Sequence, residues 1–446
     1  MSTLAAPGPL RARSVWLDRA PAVDLLAVAG AGGWLWQRER SGFAGRGVAA
    51  RIPVPGGLPD AEAIVGAALG AIDIEDEVGA PGSGAVAVGA LPFDPAEPLE
   101  LVVPAVVVGR TAEGRCWLTT VGSHTDPRSL VATLVPEESR DPDGFSLSSP
   151  LPHEVWMALV EEAVAAIDAG RFAKVVVARE VVVDANRDIH VPTVLRRLRS
   201  LYPACTVVGA PLAEGQFVAA SPELLVARED LAVRSHPLAG TIPRSGDPHA
   251  DQALSESLLA SPKDRAEHAW VVRDVVDGLS PWCATLDVPA APSIVALRNV
   301  SHLGTHVTGT LEPGAPSALG LAAALHPTAA VGGTPRDAAL EWLRANERLA
   351  RGPYAGPVGW VDARGDGEWV VGIRSALISG SSARLYAGVG VVEGSDPAAE
   401  LAETQFKLQA LLAAVVRPRP APALSLQRGA DGGDEHVVHG DVGGPV

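Results

Sequence analysis

"SPKDRAEHAWVVRDVV", residues 261–276, is the stretch on which the reading of this chain turns. Ser261 is a good N-cap, Pro262 suits the first helical position, and Asp264 three residues on completes something close to a capping box. Val272, Val275, Val276 and Leu279 then recur at helical spacing, and Gly278 with Pro281 closes the segment, which predicts a helix over 261–279. Capping would account for the acidic start. One feature resists it: on a helical wheel Asp264 and His268 fall inside the apolar stripe and Glu267 sits at its border. Carboxylates that face inward need a partner, and a bound cation is one. A capped helix start and a metal site both stand on these residues.

A second acidic turn answers the first. In "EGSDPAAELAETQFKLQALL", residues 393–412, Asp396 can cap and Pro397 can open a helix. Glu400, Glu403 and Lys407 then lie along one stripe bordering Leu401, Leu408, Leu411 and Leu412. An ordinary Glu403–Lys407 pair on a solvated face is one reading. Closure of two acidic turns on one hard cation is the other. Mg²⁺ takes oxygen ligands, usually one or two carboxylates with waters and an anionic substrate. His268 makes zinc conceivable, but the chain offers neither clustered cysteines nor further paired histidines.

Lysine is scarce: only Lys174, Lys263 and Lys407 among 36 basic residues. Arginine does not lose its proton in a protein whereas a desolvated lysine can, so two readings stand: the surviving lysines mark places where arginine fails, or they survive by chance. Lys174 opens the strand "KVVVARE", with Phe172, Val176 and Ala178 on its face. Loss of hydration there would make it a base, or the side chain could snorkel to water. Glu223 in "SPELLV", between Pro222 and Leu224, raises the same question: a carboxylic acid kept protonated by apolar surroundings, or a charge at a strand margin.

The 446 residues are 47% hydrophobic, enough for one large α+β domain or two ordinary ones. A net charge of −16 argues against nucleic-acid and anionic-membrane surfaces. Cys116, Cys205 and Cys283 form no CxxC pair, which fits a reducing cytoplasm. The N-terminus lacks the apolar run of a signal peptide, and no long uninterrupted apolar stretch suggests a membrane span. Residues 1–150 read as short strands and turns with some helix. Helices are expected at 153–169, 192–200, 336–350 and 397–416, with a hairpin turn at Asp366-Gly367. The Pro-, Gly- and Asp-rich tail 417–446 is expected to be disordered. The whole is expected to be one α+β domain, with 1–150 its N-terminal part and 151–416 its catalytic core.

Taken together, "KVVVARE", "SPELLV", "HPLAGTIPR", "SPKDRAEH", "SHLGTHVTGTL", "LHPTAAVGGTPR", "GPYAGPVGW", "GIRSA" and "RLYAGVGVVEGSDPAAELAET" resemble the chorismate-binding enzymes: isochorismate synthase, salicylate synthase, anthranilate synthase component I and aminodeoxychorismate synthase. The resemblance is dense from about 150 to 412 and weaker before, as in "GALPFDP". It implies a single large α+β domain like that of anthranilate synthase component I, with helices packed around antiparallel sheets and a cleft that binds Mg²⁺. It also implies that Glu267 and Glu403 are the Mg²⁺ ligands, while Asp264 and Glu400, one turn earlier, hold metal-bound waters. On this reading the metal answers the opening question, and capping is a secondary role of Ser261 and Asp264.

The resemblance further implies the chemistry. Family members that add water to chorismate have a lysine at the position of Lys174, whereas those that add ammonia typically lack it. The "PIKGT" nucleophile of aminodeoxychorismate synthases is Ala239 here, in "PLAGT", and the "LLES" signature of tryptophan-inhibited anthranilate synthases is absent, so no glutaminase partner is expected. Salicylate synthases resemble "VTASG" where this chain has "AAVGG", putting Ala330 in place of a threonine, which favours isochorismate formation over the further loss of pyruvate. Lys174 is then the base that activates water for attack on C2, and Glu223 the acid that protonates the departing 4-hydroxyl. Tyr354 and Arg374 match residues that hold the enolpyruvyl carboxylate. Gly240, Thr241 and Gly388 match substrate contacts, and Lys407 faces the ring carboxylate. His302 matches a motif residue near the ring, with a structural histidine as the alternative. Lys263 has no role beyond the helix surface. The chain is expected to act as a monomer or homodimer, and the onward route of its product, to menaquinone, siderophore or salicylate, rests with the enzyme that consumes it.

Overall fold

The strand Val86–Ala90 is apolar at successive positions because both of its faces are covered: Val86 and Val88 enter one apolar cluster and Ala87 another. The same two-sided burial runs through the computed structural model, which describes residues 10–17, 23–122 and 141–416. Two large, mainly antiparallel sheets pack face to face through Trp34, Trp36, Phe43, Phe217, Val358 and Trp360. Helices Leu25–Ala29, Val191–Leu201 and Pro397–Val415 cover the outer face of the first sheet. Leu58–Gly70 and Ala318–Leu325 cover that of the second. This is the expected α+β architecture with helices outside antiparallel sheets. One pairing departs from it, the parallel match of Arg11–Trp16 with Asp73–Asp76.

The described residues up to 122 are woven into these sheets. Trp34–Arg38 pairs with Thr206–Leu212 in the first, and Val86–Ala90 with Pro357–Asp362 in the second. The helix at 336 ends at Asn346 rather than 350, because Glu347 turns out of the helix to bind Arg351 and the amide of Ala178. The expected hairpin joins Pro357–Asp362 to Gly367–Val371, but its left-handed residue is Gly365 (φ +86°), and Gly367 already lies in the strand. The expectation for 417–446 lies outside the described residues.

Two chain crossings between the sheets position the site. Gly215–Ser221 belongs to the first sheet and Leu224–Glu229 to the second, so Pro222 and Glu223 form the link. Gly367–Val371 and Ser375–Ser379 make the reverse passage through Gly372, Ile373 and Arg374. The two links are stitched together: Val371 N–H donates to the Glu223 carbonyl at 3.1 Å, and Ala220 N–H to that of Arg374 at 3.1 Å. A third, three-stranded sheet, Leu238–Pro243 with Val300–Gly304 and Ser293–Ala296, lies beneath helix Pro262–Leu279.

Candidate active site

The strand Ser382–Val391 pairs with Lys174–Ala185 so that Gly390 lies opposite Val176 and Gly388 opposite Ala178. Alternation sends Tyr386, Gly388 and Gly390 to one face, toward the cleft they line. Two of these glycines are there for space. A Cβ on Gly390 would fall 2.8 Å from Glu267 Oε1 and 2.8 Å from Lys174 Cε, and one on Gly388 would fall 2.8 Å from the Tyr354 hydroxyl.

Into that space Lys174 sends its amine. Its side chain is 1% exposed, and Nζ donates to Glu267 Oε1 at 2.8 Å, so it does not snorkel to water. Glu267 comes from the second turn of helix Pro262–Leu279, whose start Ser261 caps by accepting from Asp264 N–H. Capping and site are therefore both real, carried by different atoms of one turn. Burial pushes the Glu267 carboxyl up, but Lys174, with Lys407 and Lys263, more than offsets this and holds it below the ordinary value. The remaining member of the opening group turns away: buried His268 bonds Thr305 Oγ1 through Nε2 at 2.7 Å, and burial lowers its pKa to about 4, leaving it neutral.

Helix Pro397–Val415 supplies the second acidic turn, capped by Asp396 as the sequence predicts. The ordinary ion pair is present, Lys407 Nζ to Glu403 Oε1 at 2.7 Å, but it faces the cleft, where Nζ also donates to the Gly388 carbonyl at 2.8 Å. Glu400, buried behind it, is pushed up by burial and by the charge of Glu403. Asp264, Glu267, Glu400 and Glu403 thus line one cleft. Among the described residues no three side chains of metal-binding type converge into a ready-made cluster. A hard cation such as Mg²⁺ does not require one, since it is commonly held by one or two carboxylates and an anionic substrate. Glu267 and Glu403, two glutamates with all-oxygen donors lining one cleft, fit such an ion. With His268 engaged elsewhere, the donor set does not fit zinc.

Glu223 is 3% exposed, and burial raises its pKa from 4.5 to about 8 against a backbone hydrogen bond from Leu238 and the charges of Lys174 and Lys407. It is a carboxylic acid near neutral pH, as the sequence suggested. Ser221 fixes its backbone by donating to the Val371 carbonyl at 2.6 Å and accepting from Glu223 N–H at 3.3 Å.

The anion-binding end is built around Arg374, buried and in the left-handed region at φ +51°. Among the described residues no carboxylate pairs with it. Nη1 donates to the Lys407 carbonyl at 3.2 Å and Nη2 to His302 Nε2 at 3.1 Å. A guanidinium only donates, so Nε2 of His302 is the acceptor and Nδ1 carries the proton, facing Thr241 Oγ1 at 3.0 Å and the Gly240 carbonyl at 3.3 Å. Burial, with Arg374 and Lys407 nearby, holds His302 well below its ordinary pKa and neutral. It both lines the cleft and braces Arg374, which joins the two roles the sequence left open. Gly240 has φ +74°, and a Cβ there would lie 3.1 Å from that of Asp264. Tyr354 stacks on Tyr386 with centroids 5.2 Å apart, and burial raises its pKa to about 12, so it is a neutral phenol donor. Ala330 lines the same cleft from the Gly-rich loop.

Every site residue the sequence singled out therefore reaches one cleft, Lys174 through its bond to Glu267. Two polar lining residues escaped that reading. Tyr386 lay within a quoted motif but looked like any strand aromatic, and Lys263, assigned only to the helix surface, lines the cleft as well.

Comparison with known proteins agrees with this geometry. Residues 29–416 match the model of a family described as chorismate binding enzyme, and the chain belongs to that family. It is 39% identical over 337 residues to the isochorismate synthase DhbC of Bacillus subtilis, covering 74% of this chain and 80% of that protein. It is 40% identical over 274 residues to the salicylate biosynthesis isochorismate synthase of Pseudomonas aeruginosa, covering 61% of this chain and 57% of that protein. The solved structure of MenF, the menaquinone-specific isochorismate synthase of Escherichia coli, superposes with a TM-score of 0.77 at 28% identity, covering 93% of this chain and 96% of that one.

Proposed function

We propose that the chain is an isochorismate synthase, converting chorismate to isochorismate with Mg²⁺. The observation that carries this is a pair of buried groups at one site: the amine of Lys174, bonded to Glu267 of the cleft, and the protonated carboxylic acid of Glu223, which lines it. Moving a hydroxyl from C4 to C2 needs one group that takes a proton from water and one that gives a proton to the departing oxygen.

The steps follow from the residues. Arg374 and Tyr354 hold the enolpyruvyl carboxylate, and Lys407, with Gly240, Thr241 and Gly388, orients the ring. Lys174 takes a proton from water, whose oxygen attacks C2; the ring double bonds shift; Glu223 gives its proton to the 4-oxygen, which leaves as water. A neutral amine can donate one N–H to Glu267 and still offer its lone pair to the water, so this contact orients Lys174 for the step. Of the two, Glu267 is the more exposed, at 21% against 1%, and is the one that lines the cleft. Glu267 and Glu403 would hold the Mg²⁺, with Asp264 and Glu400 on its waters, and the ion would supply positive charge for the ring carboxylate.

The test is incubation of purified protein with chorismate and Mg²⁺ beside a metal-free control, with products separated by chromatography. Metal-dependent isochorismate in equilibrium with chorismate is expected. Salicylate with equal pyruvate would reassign the enzyme and overturn the weight placed on Ala330. An aminated product formed only with ammonia would overturn the role of Lys174.

A further inference from the structure

We propose that Lys263 is a substrate-binding residue, the cation that takes a carboxylate of the incoming dianion at the mouth of the cleft. The inference deepens the isochorismate synthase reading and rests on it.

Helix stability does not explain Lys263. It occupies the first turn of helix Pro262–Leu279, where the helix dipole disfavours a cation. Its neighbours do not explain it either, since it forms no hydrogen bond or ion pair with any described residue. Its position points outward from the chemistry. Lys263 and Glu267 line both the cleft and an adjoining outer hollow, where Arg171, Trp270 and Glu393 also stand. The side chain is exposed and lies on the boundary between the two spaces. Its charge reaches Glu267 and Glu400, favouring the ionised carboxylate in each.

Composition sharpens the case. The chain keeps three lysines against 33 arginines, and all three meet here: Lys407 and Lys263 line the cleft and Lys174 bonds a residue that does. A lysine ammonium is a compact charge on a flexible stem, able to follow a carboxylate inward, whereas a guanidinium is a broad planar fork. The need for such a charge follows from the whole molecule, whose net −16 repels a dicarboxylate at long range.

The experiment uses the full chain saturated with Mg²⁺, with chorismate binding followed by calorimetry and turnover followed over a range of salt. Lys263→Ala is expected to weaken the chorismate Kd and raise KM by about tenfold, or ~1.4 kcal/mol, with a smaller change in kcat. The ratio of wild-type to variant kcat/KM falls as ionic strength rises, because salt screens the attraction that Lys263 supplies. Lys263→Arg keeps the wild-type salt dependence while binding less tightly, and Lys263→Gln replaces the alanine variant should that one melt early. Unchanged Kd, KM and salt dependence overturn the proposal. So does a loss in kcat at constant KM, which would make Lys263 a positioning residue acting through Glu267. Absence of isochorismate formation by the wild type would instead remove the functional reading, before any variant is compared.

Discussion

At the scale of single residues, Glu223 and Lys174 show how much the environment decides. Both are ionisable groups among apolar neighbours. Lys174 finds a carboxylate at 2.8 Å, whereas Glu223 has no cation within bonding distance among the described residues and keeps its proton. With Glu223 as the proposed acid, kcat should fall as pH rises through about 8. Stability carries the same signature with a definite sign. The folded pKa lies above the ordinary 4.5, so the stabilising contribution is complete below 4.5 and is lost as pH rises to about 8. Glu223→Gln has no such loss. Its melting temperature should overtake that of the wild type progressively across this window while activity is abolished, and parallel melting curves from pH 5 to 9 would refute the burial account. Lys174→Gln removes the base and should lower kcat by roughly 10²–10⁴-fold, as such groups contribute. Full isochorismate formation by that variant would end its assignment.

At the scale of elements, what local sequence could and could not show has a physical pattern. Helices Pro262–Leu279 and Pro397–Val415 were legible because a cap, a proline at the start and an apolar stripe agree. Pro248–Ala260 was missed because its only buried side chains are Asp251 and Leu258, leaving no stripe; the Asp247-Pro248 cap was its one signal. Ala318–Leu325 was missed for the opposite reason, being apolar all round, with only the Ser317 cap to mark it. The site residues were legible one by one, but their partners were not. Lys174 and Glu267 are 93 positions apart, and no local pattern announces their bond. The strand Ser382–Val391 makes that bond possible by leaving Gly390 bare. Gly390→Ala puts a methyl 2.8 Å from both Glu267 Oε1 and Lys174 Cε, so the ends of these two side chains must shift. A displacement of that order near the chemistry is worth about 10²-fold in kcat. The strand is otherwise untouched, so near-wild-type circular dichroism with that loss is expected, and retained activity would show the space to be incidental.

At the scale of the whole molecule, the acidic surplus of the chain gives way to balance at the cleft. Asp264, Glu267, Glu400 and Glu403 face Lys174, Lys263, Lys407 and Arg374, four carboxylates against four cations. Chorismate brings two negative charges and the proposed Mg²⁺ two positive ones. Either alone leaves an uncompensated double charge in a partly enclosed space, and both together restore the balance. Substrate and cation should therefore bind each other's complex more tightly than the free protein. Linkage requires the factor to be the same from both sides, and couplings of this kind are typically about 5–150-fold. Calorimetry with chorismate in EDTA and in saturating Mg²⁺, and with Mg²⁺ in the absence and presence of chorismate, gives both factors. Equal factors above about fivefold are expected. Chorismate affinity that does not change on metal removal would show that the lysines alone neutralise the substrate, and would reassign Glu267 and Glu403 from metal ligands to permanent counter-ions of Lys174 and Lys407.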